Sequence, residues 1–218
     1  QPVSADAGRG GGSMKWGQAL LDLLFPVRCP GCGAMTDAEH PWCEACVRQF
    51  WNPRMIQSAH SRDLEGCYTC CQYTAGIRDC IIQLKYYGKR NLKRCFPMLL
   101  ARFPWWERLA SYPIAVPVPL SRRRRESRGY NQCDLIFQDF MKNLGKTYDA
   151  ELLVRLRDTK VQSTLDREER RKNIRDAFHI NRGRRIEGQC ILLLDDVYTT
   201  GATMAEAVMG LTLASGAP

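Results

Sequence analysis

Two short apolar segments in the chain have the pattern of strands buried on both faces of a parallel sheet. The first runs from Ile114 to Leu120 and the second from Cys190 to Leu194. Continuous apolar runs of this length, without alternation, are typical of parallel strands covered by helices. The segment from Ala202 to Leu213 then has the composition of a helix. Strand, short loop and helix in this order predict an α/β sheet whose ligand site lies at the carboxyl ends of its strands.

The loop before this helix carries two acids and a run of hydroxyl residues. Asp195 and Asp196 come first, placed to accept hydrogen bonds from ribose hydroxyls or to support a magnesium ion. Backbone NH groups at the start of the helix and the threonine hydroxyls form a phosphate site, and the glycine allows close approach of the backbone. An ordinary strand-turn-helix with surface acids is the alternative interpretation. The residues predicted to bind phosphate are Thr199, Thr200, Gly201, Ala202 and Thr203.

This loop resembles the phosphoribosyl-pyrophosphate (PRPP) loop of type I phosphoribosyltransferases, because apolar residues, paired acids and a Thr-Thr-Gly-x-Thr turn follow in the same order. The resemblance implies that Asp195 and Asp196 hold the ribose diol in the catalytic site. It implies that the threonine turn holds the 5′-phosphate, and that Mg²⁺ with PRPP is a ligand.

Two Cys-x-x-Cys pairs near the amino terminus have the spacing of metal ligands. Each pair can turn two thiolates toward one ion, and four thiolates favour tetrahedral zinc or iron. We expect structural zinc, with two disulfides as the competing interpretation. The chain has 11 cysteines, an odd number, and several stand singly in apolar runs, which suits a reducing compartment. The predicted metal ligands are Cys29, Cys32, Cys43 and Cys46.

A further pair, Cys67 and Cys70, repeats this spacing and is followed directly by Cys71. We expect no second metal site here, because no fourth cysteine lies nearby and residues 72–77 look like a strand that enters the larger domain. A site completed by His60 is the alternative.

Length and hydropathy bound the architecture. The 218 residues suffice for one α/β domain of about 150 residues and a small metal module. No apolar run approaches the roughly 20 residues that cross a bilayer, and Asp22 interrupts the one signal-like stretch. We expect a cytoplasmic protein without membrane insertion.

Three segments follow from these patterns. Residues 1–13 end in Gly-Gly-Gly-Ser and are interpreted as a remnant of cloning or a disordered linker. Residues 14–60 are expected to form an N-terminal helix and the four-cysteine zinc ribbon. Residues 61–218 are expected to form the α/β domain.

The net charge of +9 is concentrated in one part of the chain, since residues 121–185 hold 18 Lys and Arg against 10 Asp and Glu. Two loops dominate this window, one at 122–132 and one at 155–175. The first follows the strand at 114–120, which would place its arginines at the ligand edge of the sheet, where concentrated arginine attracts phosphates. A merely solvated charged surface is the alternative. The residues predicted to bind pyrophosphate or DNA are Arg122, Arg123, Arg124, Arg125, Arg128, Tyr130, Asn131, Gln132 and Arg171.

Between the cysteine pairs and the PRPP-like loop, five segments complete one ordered set: QLKYYG at 83–88, VPVPL at 116–120, RGYNQ at 128–132, QSTL at 162–165 and RKNIRDAF at 171–178. With the two anchors they resemble the ComF family of competence proteins over nearly all of the chain from Met14 onward. The resemblance implies a zinc ribbon fused to a type I phosphoribosyltransferase-like α/β domain, with a parallel sheet and helices on both faces. It implies a part in DNA uptake during natural transformation. The family would continue past residue 218 into a further strand, so the resemblance also implies that the C-terminal strand of the sheet is missing.

Three functions are compatible with these features. The first is a competence factor that grips the phosphates of single-stranded DNA through its arginines, with Tyr130 as a stacking platform. The second is an active phosphoribosyltransferase that uses Mg²⁺-PRPP and an unidentified acceptor. The third is an adaptor whose ribbon docks on a DNA-translocating ATPase. Its candidate interface aromatics, for which a place in the core is the stronger expectation, are Trp42, Trp51, Trp105 and Trp106. We expect the first function, with the second as the main alternative.

Overall fold

The structure is a computed structural model that describes residues 27–56, 64–156, 177–181, 183–184, 186 and 188–215. The expected N-terminal helix, His60, the QSTL segment at 162–165, Arg171 and most of the basic loop at 155–175 lie outside the described residues.

The amino-terminal part is a cysteine loop followed by a short helix and a hairpin. Helix α1 (Glu44–Phe50) leads directly into strand β1 (Trp51–Ile56), which pairs antiparallel with strand β2 (Cys67–Cys71). Helix α2 (Ala75–Tyr86) comes next. The two strands of this hairpin therefore come from opposite sides of the predicted domain boundary at residue 60.

The prediction of a strand at 72–77 is wrong, because β2 ends at Cys71 and α2 begins at Ala75. Ile77, Ile81 and Leu84 are buried at helical spacing, and Thr74 precedes the helix in an extended conformation. A threonine cap followed by apolar residues at positions i, i+4 and i+7 is a helix signal. The predicted strand covered only residues 72–77, so it included just the first of these three apolar residues.

The cysteine loop and α2 share one hydrophobic core. Trp42 is 2% exposed, its ring packs edge-on against Phe50, and its Nε1 donates to the carbonyl of Cys95 at 2.9 Å. Gly31 and Gly76 lie in backbone contact, since a Cβ on Gly76 would come within 2.5 Å of Gly31 Cα. Trp42 therefore belongs to the core, as expected, whereas the other three candidate aromatics, Trp51, Trp105 and Trp106, are half-buried.

A parallel sheet forms the centre of the second half. After a 3₁₀ helix (Arg90–Cys95) and helix α3 (Pro97–Ala101), strand β3 (Ile114–Pro117) enters this sheet. Its neighbours are β4 (Thr147–Tyr148) on one side and β7 (Ile191–Leu194) on the other, both parallel to it. Strands β5 (Leu153–Arg155) and β6 (Phe178–Ile180) form a separate antiparallel pair.

Helices cover both faces of the parallel sheet. Helices α4 (Arg122–Arg128) and α5 (Gln132–Asn143) connect β3 to β4, and α6 (Ala202–Ser215) follows β7. Ala115 and Leu194 pack with Met141 of α5 on one face, while the alternate sheet positions pack with α6 on the other. This alternation explains the continuous apolar pattern and confirms the α/β class with a parallel sheet. No described helix is both long and apolar enough to traverse a membrane.

The prediction of a loop at 122–132 is also wrong. Residues 122–128 form helix α4, and Gln132 begins helix α5 after a short turn. The Ser121 side chain accepts a hydrogen bond from the backbone NH of Arg124 and starts α4. Gly129, at φ 74°, ends it, and Asn131 caps the next helix. A serine cap and a C-terminal glycine are the usual helix limits, and both are present in the sequence at Ser121 and Gly129.

Candidate functional site

The four predicted metal ligands form one cluster. The Sγ atoms of Cys29, Cys32, Cys43 and Cys46 all lie within 4.8 Å of one another. The sulfurs of Cys32 and Cys43 are 3.5 Å apart, close to the roughly 3.8 Å that a tetrahedral ion with 2.3 Å zinc–sulfur bonds requires. All eleven cysteines are described and are free thiols, so the disulfide interpretation finds no support. The donor set and its spacing fit a zinc ion.

Local backbone geometry builds this cluster. The NH of Gly33 donates to the Cys29 carbonyl at 2.8 Å and turns the first pair into a knuckle, while the NH of Val47 donates to the Cys43 carbonyl at 3.0 Å as α1 begins. Burial tends to raise the pKa of the Cys29 thiol, but amide NH groups aimed at its sulfur, with Cys43 foremost, lower it to about 7. A sulfur that accepts backbone NH groups is prepared to ionise and bind a metal.

Cys67, Cys70 and Cys71 do not form such a cluster in the described structure. They lie along strand β2, where successive side chains alternate between faces, so Cys67 and Cys70 point to opposite sides. Burial raises the pKa of Cys70 to about 12. These thiols are neutral residues of the hairpin.

The second cluster lies at the carboxyl end of β7. Asp195 and Asp196 follow this strand directly, and Asp195 Oδ1 accepts the NH of Asp196 at 2.9 Å. Asp196 has a side chain that is only 3% exposed, and its Oδ2 lies 2.7 Å from Lys85 Nζ. This contact is an ion pair by distance, but its angles do not make a hydrogen bond, so Oδ2 keeps an unused acceptor.

The acid pair is electrostatically strained. Burial raises the pKa of Asp195 to about 7, and the charge of Asp196 adds to the rise. Cys133 Sγ lies 3.9 Å from Asp195 Oδ1, and burial together with the two carboxylates raises the pKa of this thiol well above its usual range. A ligand that brings hydroxyl donors or a cation would relieve both carboxylates.

Residues from the α4–α5 turn reach the same acid. Gln132 donates from Nε2 to Asp196 Oδ1 at 3.2 Å, and the side-chain Oε1 of Gln132 accepts from the guanidinium of Arg128. The structure thus brings two of the predicted residues, Arg128 and Gln132, to the acid pair.

Two other predicted residues of this turn, Tyr130 and Asn131, have side chains that are bonded within the fold. Asn131 donates to the Val118 carbonyl at 3.1 Å and accepts the NH of Cys133 at 3.1 Å, so its side chain holds the turn. The hydroxyl of Tyr130 donates to the Leu84 carbonyl, and the Arg90 guanidinium lies 4.5 Å from the ring centroid of Tyr130. Tyr130 is therefore half-buried and covered on one face.

The threonine loop joins the acid pair to α6. Gly201 has φ 78°, and a Cβ there would collide with the Tyr198 ring, so the turn requires glycine. Thr199 and Thr200 are exposed, and the NH of Ala202 donates weakly to Thr200 Oγ1 at 3.5 Å. Exposed hydroxyls beside the first amides of a 14-residue helix have the chemistry of an anion site.

The arginines of α4 lie at the same edge of the sheet. Pro117 pairs in register with Leu194 in parallel strands, so the segments after β3 and β7 emerge side by side. Arg122, Arg123, Arg124 and Arg125 are all exposed, and Arg122 pairs with Glu126 at 2.8 Å.

A cavity of about 1060 Å³ lies between β2 and β7 and reaches the acid pair and Thr199. Tyr68, Trp106 and Leu192 are among its lining residues. Its walls are largely apolar and aromatic, which suits a planar ring ligand.

Lys85 and Cys133 lie in the site but are not among the residues predicted from the sequence. Lys85 lies in the QLKYYG segment, one of the five segments that carry the family resemblance. Membership of that segment is the sequence feature that could have indicated a role for Lys85. Its pairing with an acid 111 positions later in the chain depends on how α2 docks, which no local pattern encodes.

The sequence is similar to that of known proteins, both in the cysteine-rich part and over most of the chain. The double zinc ribbon domain family matches residues 20–70. The chain is 30% identical over 197 residues to the DNA utilization protein YhgH of Escherichia coli O157:H7, which covers 87% of this chain and 79% of the relative. It is 28% identical over 176 residues to competence protein ComFC of Bacillus subtilis, covering 81% of this chain and 68% of the relative. It is 27% identical over 187 residues to competence protein F of Haemophilus influenzae, covering 84% of this chain and 76% of the relative. The ribbon match agrees with the four-cysteine cluster and supports structural zinc.

Proposed function

Because this chain belongs to the ComF family of competence proteins, we propose that it acts in DNA uptake by binding single-stranded DNA at the carboxyl edge of its parallel sheet. The names of the relatives, DNA utilization protein and competence protein, support a role in handling DNA. The observation that carries the proposal is the position of α4, whose four exposed arginines stand beside the strand that leads to the acid pair and the threonine loop.

The chemistry divides between these elements. Arginines bind phosphates of the strand without reading sequence. The threonine loop takes one phosphate at the start of α6. An internal deoxyribose has no free hydroxyl, so the acid pair accepts a sugar hydroxyl only from the 3′-terminal nucleotide of the strand. A single nucleotide of the strand and a free sugar phosphate such as PRPP then compete for one place.

The test is fluorescence anisotropy of a labelled single-stranded oligonucleotide over a range of salt, with and without Mg²⁺-PRPP. Binding should weaken steeply with salt, and each lost arginine–phosphate contact should lower the slope of log K against log salt by about 0.7. Arg123→Ala with Arg124→Ala should therefore lower the slope by about 1.4. Arg48→Ala with Lys142→Ala removes the same charge from exposed positions elsewhere and should leave the slope unchanged.

Two results would contradict the proposal. One is the absence of binding by the unmodified protein at low salt. The other is an equal loss of slope in both double variants, which would mean that net charge, not the α4 surface, attracts the strand.

A second function, phosphoribosyl transfer from PRPP, is favoured by the acid pair, in which the Asp196 side chain is buried, and by the apolar cavity beside it. The carboxylates of Asp195 and Asp196 fit magnesium, whereas the nearby thiol of Cys133 is a poor ligand for this ion. When bound, Mg²⁺ would supply charge neutralisation for the pyrophosphate group. The apolar and aromatic walls of the cavity suit a planar acceptor such as a base, and the sequence alone did not indicate this cavity.

Thermal denaturation with Mg²⁺-PRPP tests this second function. A ligand at 100 times its dissociation constant stabilises the folded state by about 2.7 kcal/mol, so a clear rise in melting temperature is expected. The rise should vanish in Asp195→Ala with Asp196→Ala. Release of pyrophosphate on addition of candidate bases then separates catalysis from binding. Docking of the ribbon on a DNA-translocating ATPase stays a prediction.

A further inference from the structure

Two adjacent tyrosines at the end of α2 are unusually exposed. Tyr86 is 72% exposed and Tyr87 is 70% exposed, although aromatic rings contribute most to stability when they are buried. The helix ends at this point, and Gly88, at φ 65°, turns the chain away. The two rings therefore stand on the surface without contributing to the core described above.

The surroundings of these rings are cationic. The Arg128 guanidinium lies 5.5 Å from the ring centroid of Tyr86, and the next two charged residues along the chain, Lys89 and Arg90, are exposed. Residues 80–95 contain five basic residues and no acidic residue. An aromatic surface with interleaved cations is complementary to an anionic polymer that carries planar rings.

This surface adjoins the candidate site on two sides. Lys85, the residue before Tyr86, contacts Asp196. Arg128, at the last turn of the arginine helix α4, contacts Gln132. A strand that follows the α4 arginines toward the acid pair would therefore meet the two tyrosines.

We propose that Tyr86 and Tyr87 form a base-stacking platform for single-stranded nucleic acid, with Arg128 and Arg90 at its border. The inference rests on the proposed DNA-binding function and specifies how the bases, as distinct from the phosphates, are held. It replaces Tyr130 in this role, because Tyr130 is half-buried and its hydroxyl is bonded to the Leu84 carbonyl, whereas the rings of Tyr86 and Tyr87 are mostly exposed. Stacking tolerates every base, which suits a protein that handles DNA of any sequence.

The test compares two strands of equal length and charge, one with bases and one with abasic sugars throughout. The unmodified protein should bind the base-bearing strand roughly 10-fold to 100-fold more tightly, as expected for one or two stacked bases. Tyr86→Ala with Tyr87→Ala should abolish this preference and leave the salt dependence unchanged, because no charge is removed. Tyr86→Trp with Tyr87→Trp should retain the preference.

A matched control is Tyr73→Ala. Tyr73 is 37% exposed and precedes the other end of α2, about 18 Å away along a helix of 12 residues at 1.5 Å per residue. This variant should keep the full preference for bases. Melting temperature and zinc content of each variant establish that it is folded.

The outcomes separate this inference from the function on which it rests. Loss of the base preference in the Ala variant alone, with salt dependence retained, supports the stacking platform. Equal binding of both strands by the unmodified protein, or an unchanged preference in the Ala variant, overturns the platform while DNA binding stands. If the unmodified protein binds neither strand at low salt, both the proposed function and this inference fall.

Discussion

The raised pKa of Asp195 predicts that a single neutral substitution stabilises the protein above neutral pH. Asp195→Asn keeps an oxygen that can accept the NH of Asp196, as Oδ1 does now, but removes one of two adjacent carboxylate charges. An acid whose pKa is higher in the folded state than in the unfolded state stabilises the fold while it is protonated. This contribution is fully present below the unfolded pKa, 3.8, and is lost as the pH rises through the folded pKa of about 7.

The magnitude follows from these two pKa values. The full shift corresponds to an upper limit of about 4 kcal/mol. Between about pH 5.5 and about pH 8.5 the unmodified protein should lose roughly 2 kcal/mol of unfolding free energy through Asp195. The Asp195→Asn variant has no group to ionise at this position, so its unfolding free energy should stay higher at the alkaline end by an amount on the order of 3 kcal/mol.

Urea denaturation across this pH range, with zinc in excess, measures the effect. Both proteins carry the same cysteine cluster, so any pH dependence of zinc binding cancels in their difference. Asp139→Asn is the control, because Asp139 is 79% exposed in a surface ion pair with Lys93 and should behave like the unmodified protein. If the curves of the Asp195→Asn variant and the unmodified protein fall in parallel, Asp195 is not strained and the electrostatic account of the site is wrong.

Three further results are expected. Lys85→Met should lower the unfolding free energy by about 3 kcal/mol, because it leaves the buried Asp196 charge without its cationic partner. In a urea double-mutant cycle, adding Asp196→Asn should restore most of this loss. Equal stability of the single and double variants would refute the pairing. Gly76→Ala should lower the unfolding free energy by about 1–3 kcal/mol, because the new Cβ meets the Gly31 backbone. In the same thermal denaturation experiment, Asp79→Ala, at an exposed position of the same helix, should leave the stability nearly unchanged. Removal of zinc by a chelator should lower the melting temperature seen by circular dichroism, and an unchanged temperature after confirmed loss of metal would show that the ribbon does not depend on its ion.

The elements that carry their own signal were predictable from sequence. The apolar run of β7, the acids after it and the helix from Ala202 follow from local pattern, and so do the four ligands of the cysteine cluster. Strand β4 has only two residues, Thr147–Tyr148, and no period can be read from so short a segment. The start of α2 was misread because a few apolar residues are compatible with either a strand or a helix.

The candidate site was predictable only in part, for a related reason. Paired acids and a threonine turn are contiguous, and their spacing alone indicates a ligand loop. The Lys85–Asp196 ion pair and the contact of Gln132 with the same acid join residues far apart in the chain. Such contacts are fixed by how helices pack on the sheet, and a single sequence carries no direct record of them.

The glycine-to-glycine contact between the cysteine loop and α2 has a consequence for how such a protein can change over evolutionary time. Gly31 and Gly76 touch through their backbones, and Trp42 fills the space beside them. Recombination that exchanged the ribbon for another module would expose this seam and leave the buried face of α2 without its cover. The cysteine loop and α2 can therefore be expected to be inherited together as one unit. Gly31 and Gly76 are each constrained by contact with the other glycine.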